Sequence, residues 1–151
     1  MFTDLAAITI TELPVRAIFA AGGLTGCVMQ HLAPLSGLRI LIVEDNALIA
    51  DHIAHMVIDA GAQIEGPFAT VVEALESLDY STPLDAAVLD ISLGAELSYP
   101  LAEALKTTRI PFLFLTGKDK SDLPASFDKA SYLKKPFNAE MLVQAITNCL
   151  K

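Results

Sequence analysis

The sequence predicts an α/β fold: a doubly wound, five-stranded parallel sheet with helices on both faces. Three observations carry that expectation. From Leu38 onward, short apolar runs alternate with stretches of helical periodicity. Several runs are apolar at every position rather than at alternate ones, as strands buried on both faces require. The composition can fill a core, with 53% hydrophobic and 19% charged residues, which excludes general disorder.

The elements follow in order. Arg39-Ile40-Leu41-Ile42-Val43 is the first strand, and it stops at Glu44-Asp45-Asn46. A helix over about 47–60 carries Leu48, Ile49, Ile53, Met56 and Val57 as its apolar stripe. Asn46 or Asp45 can cap its start and Gly61 can close its end. The second strand is expected at 63–65, before Gly66-Pro67. A second helix over 70–78 has the stripe Val71, Val72, Leu75 and Leu78. Residues 85–90 form the third strand and end on Asp90. A helix over about 100–107 follows a loop. Residues 110–116 form the fourth strand, with Pro111 near its start, where proline is tolerated. The polar stretch 117–128 is broken by Pro124, so any helix there is short. Residues 130–134 form the fifth strand, and 138–150 the last helix, capped by Asn138. Right-handed crossovers place these helices on both faces of the sheet.

Residues 1–37 read as an N-terminal extension and 38–151 as the folded domain. The apolar run from Ala17 to Val28 is interrupted by glycines and is too short to span a bilayer. Leu24-Thr25-Gly26-Cys27 resembles a lipoprotein cleavage box, but a basic n-region is missing, with Arg16 the only base before it. Met29 is an alternative start, which would make 1–28 an extension outside the native protein or a loosely ordered tail. Cys27 and Cys149 show no zinc-ligand spacing and read as free thiols of a cytoplasmic chain. The formal net charge is −8, with ten Lys+Arg spread along the chain, which argues against nucleic-acid binding.

In such a sheet, ligands bind at the carboxyl ends of the strands. Those ends carry Glu44-Asp45, Asp90, Thr116 and Lys134-Lys135. Each acid alone would read as a helix cap, yet that does not explain why the polar strand ends share one edge. Crowded carboxylates either take up protons or hold a cation. Mg²⁺ suits an all-oxygen site that also meets phosphate. The backbone carbonyl of Ser92 could add a ligand. Lys135 would then be a point charge for a phosphate oxygen. Asp90 is the natural nucleophile, because a carboxylate can accept a phosphoryl group as an acyl phosphate.

These residues resemble the response-regulator receiver domain of bacterial two-component signalling. The resemblance rests on Ile42-Val43-Glu44-Asp45-Asn46, Val88-Leu89-Asp90, Thr116-Gly117 and Tyr132-Leu133-Lys134-Lys135-Pro136-Phe137, and covers about 38–150. It implies a flavodoxin-like receiver fold, with Asp90 as phosphoacceptor and Glu44 and Asp45 as the Mg²⁺-holding pair. It further implies Thr116 as switch hydroxyl, Tyr132 as switch aromatic, Lys135 as phosphoryl contact and a cis bond between Lys135 and Pro136. Phe112-Leu113-Phe114-Leu115-Thr116-Gly117 also resembles a subset whose fourth strand ends Phe-Ala-Thr-Gly, with Leu115 in place of the alanine. The loop Ile91-Ser92-Leu93-Gly94-Ala95-Glu96 departs from the family pattern by lacking the usual Met-Pro pair.

The resemblance implies a histidine kinase or histidine phosphotransfer protein as donor, and an unknown downstream protein as target. A stand-alone receiver is expected, since no effector segment follows Lys151; it would signal by protein contact or drain phosphate from a kinase. It would not be an enzyme beyond catalysing its own phosphorylation and a slow autodephosphorylation. A phosphorylation-independent pseudo-receiver is the alternative, opposed by the complete acid–Thr–Lys set. An aspartate-nucleophile phosphatase would need a second Asp where Ser92 stands. His52 and His55 read as a solvated helix face.

Overall fold

A computed structural model of the chain describes residues 33–78 and 82–151. The features expected at 1–32, namely the lipoprotein-like box, the alternative start at Met29 and the Cys27 thiol, lie outside the described residues. The elements are β1 (Arg39–Val43), α1 (Ala47–Asp59), β2 (Gln63–Phe68), α2 (Val71–Ser77), β3 (Ala86–Asp90), β4 (Ser92–Leu93), β5 (Glu96–Leu97), α3 (Tyr99–Thr107), β6 (Phe112–Thr116), β7 (Ser131–Lys134) and α4 (Ala139–Cys149). Five strands form one parallel sheet in the order β2-β1-β3-β6-β7. The order reverses between β1 and β3, which opens a crevice at their carboxyl ends.

The continuous apolar runs do what their pattern requires. All five residues of β3 are buried, as are the last four of β1 and of β6. Alternate residues serve opposite faces. Ile40, Ile42, Val88, Leu113 and Leu115 pack with Ile53 and Val57 of α1 and Leu142 and Ile146 of α4. Leu41, Val43, Leu89 and Phe114 pack with Val71 of α2 and Leu101 and Leu105 of α3. On that second face Tyr99, Phe114 and Phe127 form a ring cluster, with Tyr99 stacked on Phe127 at 5.3 Å and edge-on to Phe114 at 5.9 Å. Cys149 is partly buried, and burial pushes its thiol up to about 11, which disfavours the thiolate.

Local signals set the helix ends. The Asn46 side chain accepts from Leu48 N and Ile49 N at the start of α1. Gly61 follows the Ala60 cap with φ +94, the left-handed residue that closes many helices. Asn138 accepts from Met141 N to begin α4.

Several sequence expectations shift. Leu48 is 84% exposed rather than part of the α1 stripe. The buried line is Ala50, Ile53, Ala54 and Val57, and Leu48 stands five residues before Ile53, well round the helix. In α2 the buried residues are Val71 and Ala74, while Val72 and Leu75 face outward. β2 runs on through Gly66 and a cis Pro67 to Phe68, because an edge strand tolerates both residues. The register with β1 slips there, between Leu41 and Val43. The polar stretch after β6 forms two 3₁₀ turns, Lys120–Asp122 and Ala125–Phe127, with no α-helix. The loop after Asp90 contains an antiparallel hairpin, β4 paired with β5. Its two-residue turn, Gly94-Ala95, has φ +62 at Gly94, the position where a tight hairpin turn wants glycine.

The packed unit begins at Ala33. Leu35, upstream of the first strand, is fully buried in the α1–α4 face, and its N–H donates to Ala60 O at 2.8 Å. Leu35→Ala should therefore lower unfolding stability by about 2–5 kcal/mol. A urea titration reads this as a lower midpoint with an unchanged slope; an unchanged midpoint would show that the lead is dispensable for packing.

Candidate functional site

The sheet order brings four strand ends together, because β1, β3, β6 and β7 are successive neighbours. Glu44 and Asp45 leave β1, Asp90 closes β3, Thr116 closes β6, and Lys135 leaves β7. Glu44, Asp90 and Thr116 are buried, whereas Asp45 is exposed. Carboxylate oxygens of Glu44, Asp45 and Asp90 all lie within 4.8 Å of one another.

Lys135 binds the cluster. Its Nζ donates to Glu44 Oε2 at 2.8 Å and to Asp90 Oδ2 at 2.9 Å. The remaining oxygens take backbone donors. Glu44 Oε1 accepts from Asn46 N at 3.2 Å, and Asp90 Oδ1 accepts from Ser92 N at 3.2 Å. Thr116 Oγ1 accepts from Lys118 N at 2.9 Å, which leaves its O–H free to donate elsewhere. Lys135 N donates to Thr116 O at 2.8 Å, joining the ends of β6 and β7. The Lys135–Pro136 peptide is cis.

Burial raises the Glu44 carboxyl above the ordinary 4.5, and the nearby Asp90 charge pushes the same way. The Lys135 hydrogen bond and the Asn46 N–H oppose that rise without cancelling it. For Lys135 burial works against the ammonium, but its bonds to Glu44 and Asp90 outweigh it and raise the group above 10.5. Three acids against one lysine leave the pocket short of positive charge. The donors are all hard carboxylate oxygens, and no His or Cys joins the group among the described residues. That set fits Mg²⁺ rather than a softer metal. Glu44, Asp45 and Asp90 are the side chains that would hold it.

Other expected residues sit apart from the cluster. Tyr132 is 38% exposed on β7, with Lys120 Nζ 5.5 Å from its ring centroid. Lys134 points outward to Asp119, whose hydrogen bond raises the lysine above its usual value. His52 and His55 are exposed on α1, where His55 pairs with Asp51 at 3.4 Å. Ser92 lies in β4, directly after Asp90 and Ile91. The site also has a part that pattern reading missed. A Cβ placed on Gly94 would come within 3.8 Å of Asp45 Oδ2, so the hairpin turn lies against the exposed acid. The Gly94-Ala95 pair between Ser92-Leu93 and Glu96-Leu97 was the available signal. A groove of roughly 460 Å³ opens beside the acid pair, lined among others by Glu44, Asp45, Ala50, His55 and Pro67.

A sheet of this order with buried acids at its reversal point defines a doubly wound α/β protein with its site at the switch point, and comparison with known proteins gives the family. The model of the response regulator receiver domain matches residues 40–147. The chain is 32% identical over 114 residues to the sensory transduction protein LytT of Bacillus cereus, covering 72% of this chain and 46% of that one. It is 32% identical over 112 residues to the transcriptional regulatory protein PdtaR of Mycobacterium tuberculosis, covering 72% and 54%. The chain thus spans about half the length of these curated relatives. The solution structure of SdrG from Sphingomonas melonis Fr1 is 36% identical with a TM-score of 0.66, over 76% of this chain and 97% of that one. The chemotaxis response regulator CheY4 of Vibrio cholerae, at 23% identity and a TM-score of 0.65, covers 74% of this chain and 98% of its own and shares the fold. The chain belongs to the response regulator receiver domain family of two-component signal transduction, in which phosphorylation and Mg²⁺ binding are typical.

The ion pairs set a pH response. Glu44 has a folded value above its unfolded one, so its contribution is fully present below 4.5 and is lost as pH rises through the folded value. Lys135, also raised, contributes below 10.5 and loses that contribution as pH rises through its folded value. Lys135→Met strips the buried acids of their counter-charge and should cost about 3 kcal/mol near neutral pH in chelator. The deficit should shrink as pH falls through the raised Glu44 range, where that carboxyl takes up its proton. Urea midpoints across pH test this, and a pH-independent deficit would rule out the charge as its cause.

Proposed function

We propose that this receiver accepts a phosphoryl group on Asp90 from a phosphohistidine, with Glu44 and Asp45 completing a Mg²⁺ site and Lys135 and Thr116 receiving the phosphoryl oxygens. The observation that carries the reading is the junction of Asp90 with Glu44 through one lysine, beside a third carboxylate. Family membership implies a histidine kinase or a histidine phosphotransfer protein as partner.

Phosphoryl transfer needs positioning and charge neutralisation more than covalent help from the protein. Bound Mg²⁺ supplies charge neutralisation at the phosphoryl oxygens and among the acids. Ser92 N holds one Asp90 oxygen, and the other faces Lys135. An Asp90 oxygen attacks phosphorus in line as the histidine nitrogen leaves. Lys135, already between two carboxylates, turns to a phosphoryl oxygen without leaving the pocket. Thr116 donates its hydroxyl proton to another, drawing the β6 end inward. Tyr132, half out of the surface, follows into the space released. The groove beside Glu44 and Asp45 gives the donor side chain its approach. The Ser92 backbone carbonyl would add a further oxygen ligand to the metal.

Output proceeds through protein contact or by draining phosphate from a kinase, in the cytoplasm, without nucleic-acid contact by this domain. The match to SdrG over 97% of that chain supports a receiver that folds without an attached output domain. No helix of the described residues is long and apolar enough to cross a membrane. The protein turns over nothing but its own phosphoryl group.

Incubation with a small phosphodonor and Mg²⁺ should add one phosphoryl mass to the intact protein. Asp90→Ala and chelation of the metal should each abolish uptake, and Thr116→Ala should retain uptake while losing the Tyr132 chemical-shift response. Uptake by Asp90→Ala would sink the assignment, and absence of uptake by the wild type would favour a phosphorylation-independent binding module.

A further inference from the structure

The hairpin after Asp90 is held from outside. Ile91 N still donates to Leu115 O at 3.2 Å, so the chain leaves the sheet only after Ile91. Ser92 then pairs with Leu97 and Leu93 with Glu96, and Ser98 N returns to Ile91 O at 3.0 Å. Leu93 is buried, whereas Glu96 and Leu97 face solvent. Two-residue strands have little pairing of their own, and an isolated hairpin is marginally stable in water. Leu93 packs into the core face that holds Val71 and Phe114, and one further hydrogen bond crosses from the exposed arm of the hairpin to a different part of the fold. Glu96 Oε1 accepts the Val71 N–H, the first residue of α2, at 3.1 Å and across 25 positions of sequence.

α2 does not depend on that bond for its start. Thr70 Oγ1 accepts from Glu73 N, and Glu73 Oε2 accepts from Ala69 N, so the helix has its own reciprocal cap. Glu96 therefore serves the hairpin more than the helix. The hairpin carries Ser92, whose N–H holds Asp90 Oδ1, and Gly94, which lies against Asp45. Glu96 itself is outside the carboxylate group that could hold a cation.

We propose that Glu96 is a positioning residue: it latches the 92–97 hairpin to the start of α2 and so fixes Ser92 and Gly94 beside Asp90 and Asp45 in the geometry that binds Mg²⁺. The inference rests on the phosphoacceptor reading above. The bond joins an ionisable carboxylate to a backbone N–H, and charge assistance strengthens it. Without it, binding the cation must also order the hairpin, and that cost appears as lost affinity. By reciprocity, Mg²⁺ must tighten the latch by the same factor that the latch tightens Mg²⁺.

The test is a Mg²⁺ titration followed by amide chemical shifts, with hydrogen exchange at Val71 in the same samples. Glu96→Ala should weaken Mg²⁺ binding about tenfold, a typical loss for an outer support of a metal site. Glu96→Gln keeps the accepting oxygen and should restore most of the affinity, which a generic loss of stability would not do. In the wild type, saturating Mg²⁺ should slow exchange at Val71 N, a readout that needs no variant to fold. Equal affinity in wild type and Glu96→Ala overturns the latch, as does Val71 exchange indifferent to Mg²⁺. A wild type that binds no Mg²⁺ overturns the phosphoacceptor reading and the latch with it.

Discussion

The fold is arranged around an unbalanced charge. Two carboxylates are buried at the carboxyl edge of a parallel sheet, a third stands beside them, and a single lysine bonds the two buried ones. Burial alone would drive such acids to the neutral form. Lys135 keeps the site polar by bridging Glu44 and Asp90, and so ties β1 to β3 from the far side of β6. The bridge satisfies the buried oxygens, with Asn46 N and Ser92 N taking the rest. It leaves the pocket still negative, a setting whose hard oxygen donors suit Mg²⁺.

The scaffold holds those groups still. Asp90 and Thr116 end strands whose residues are almost wholly buried, so their backbone positions are fixed by packing on both faces. Lys135 is held by the Thr116 carbonyl. The less tightly packed groups sit outward: Tyr132 on an edge strand, and two 3₁₀ turns with few buried residues. This division puts a rigidly framed acidic site next to a surface with fewer constraints.

Much of this was legible in the sequence because the central strands have no alternation to misread. Ala87-Val88-Leu89 before Asp90, and Phe112 to Leu115 before Thr116, can be buried strands and little else of that length. The strand-end polar residues then follow from topology. The helix faces were less legible. Leu48, Val72 and Leu75 are apolar yet exposed, and hydrophobicity at short spacing cannot tell a core stripe from an outward patch. The hairpin was illegible for another reason: two-residue strands carry too few positions to show a period. The Glu96 contact was beyond sequence altogether, since nothing in Glu96 names an amide 25 residues away. Leu35 shows the same limit, as its burial depends on where α1 ends.

The two borders of the sheet restrict what a partner can do. β2 carries Gly66-Pro67 just before its last residue, and proline brings no N–H to offer a neighbouring strand; its register also slips against β1. β7 at the other border is four residues long and turns Lys134 outward. Short borders, proline and lysine are the devices that stop sheets from growing by edge-to-edge pairing. A second molecule therefore gains little by adding a strand here. Recognition then falls to the side chains of helices and loops rather than to the sheet borders.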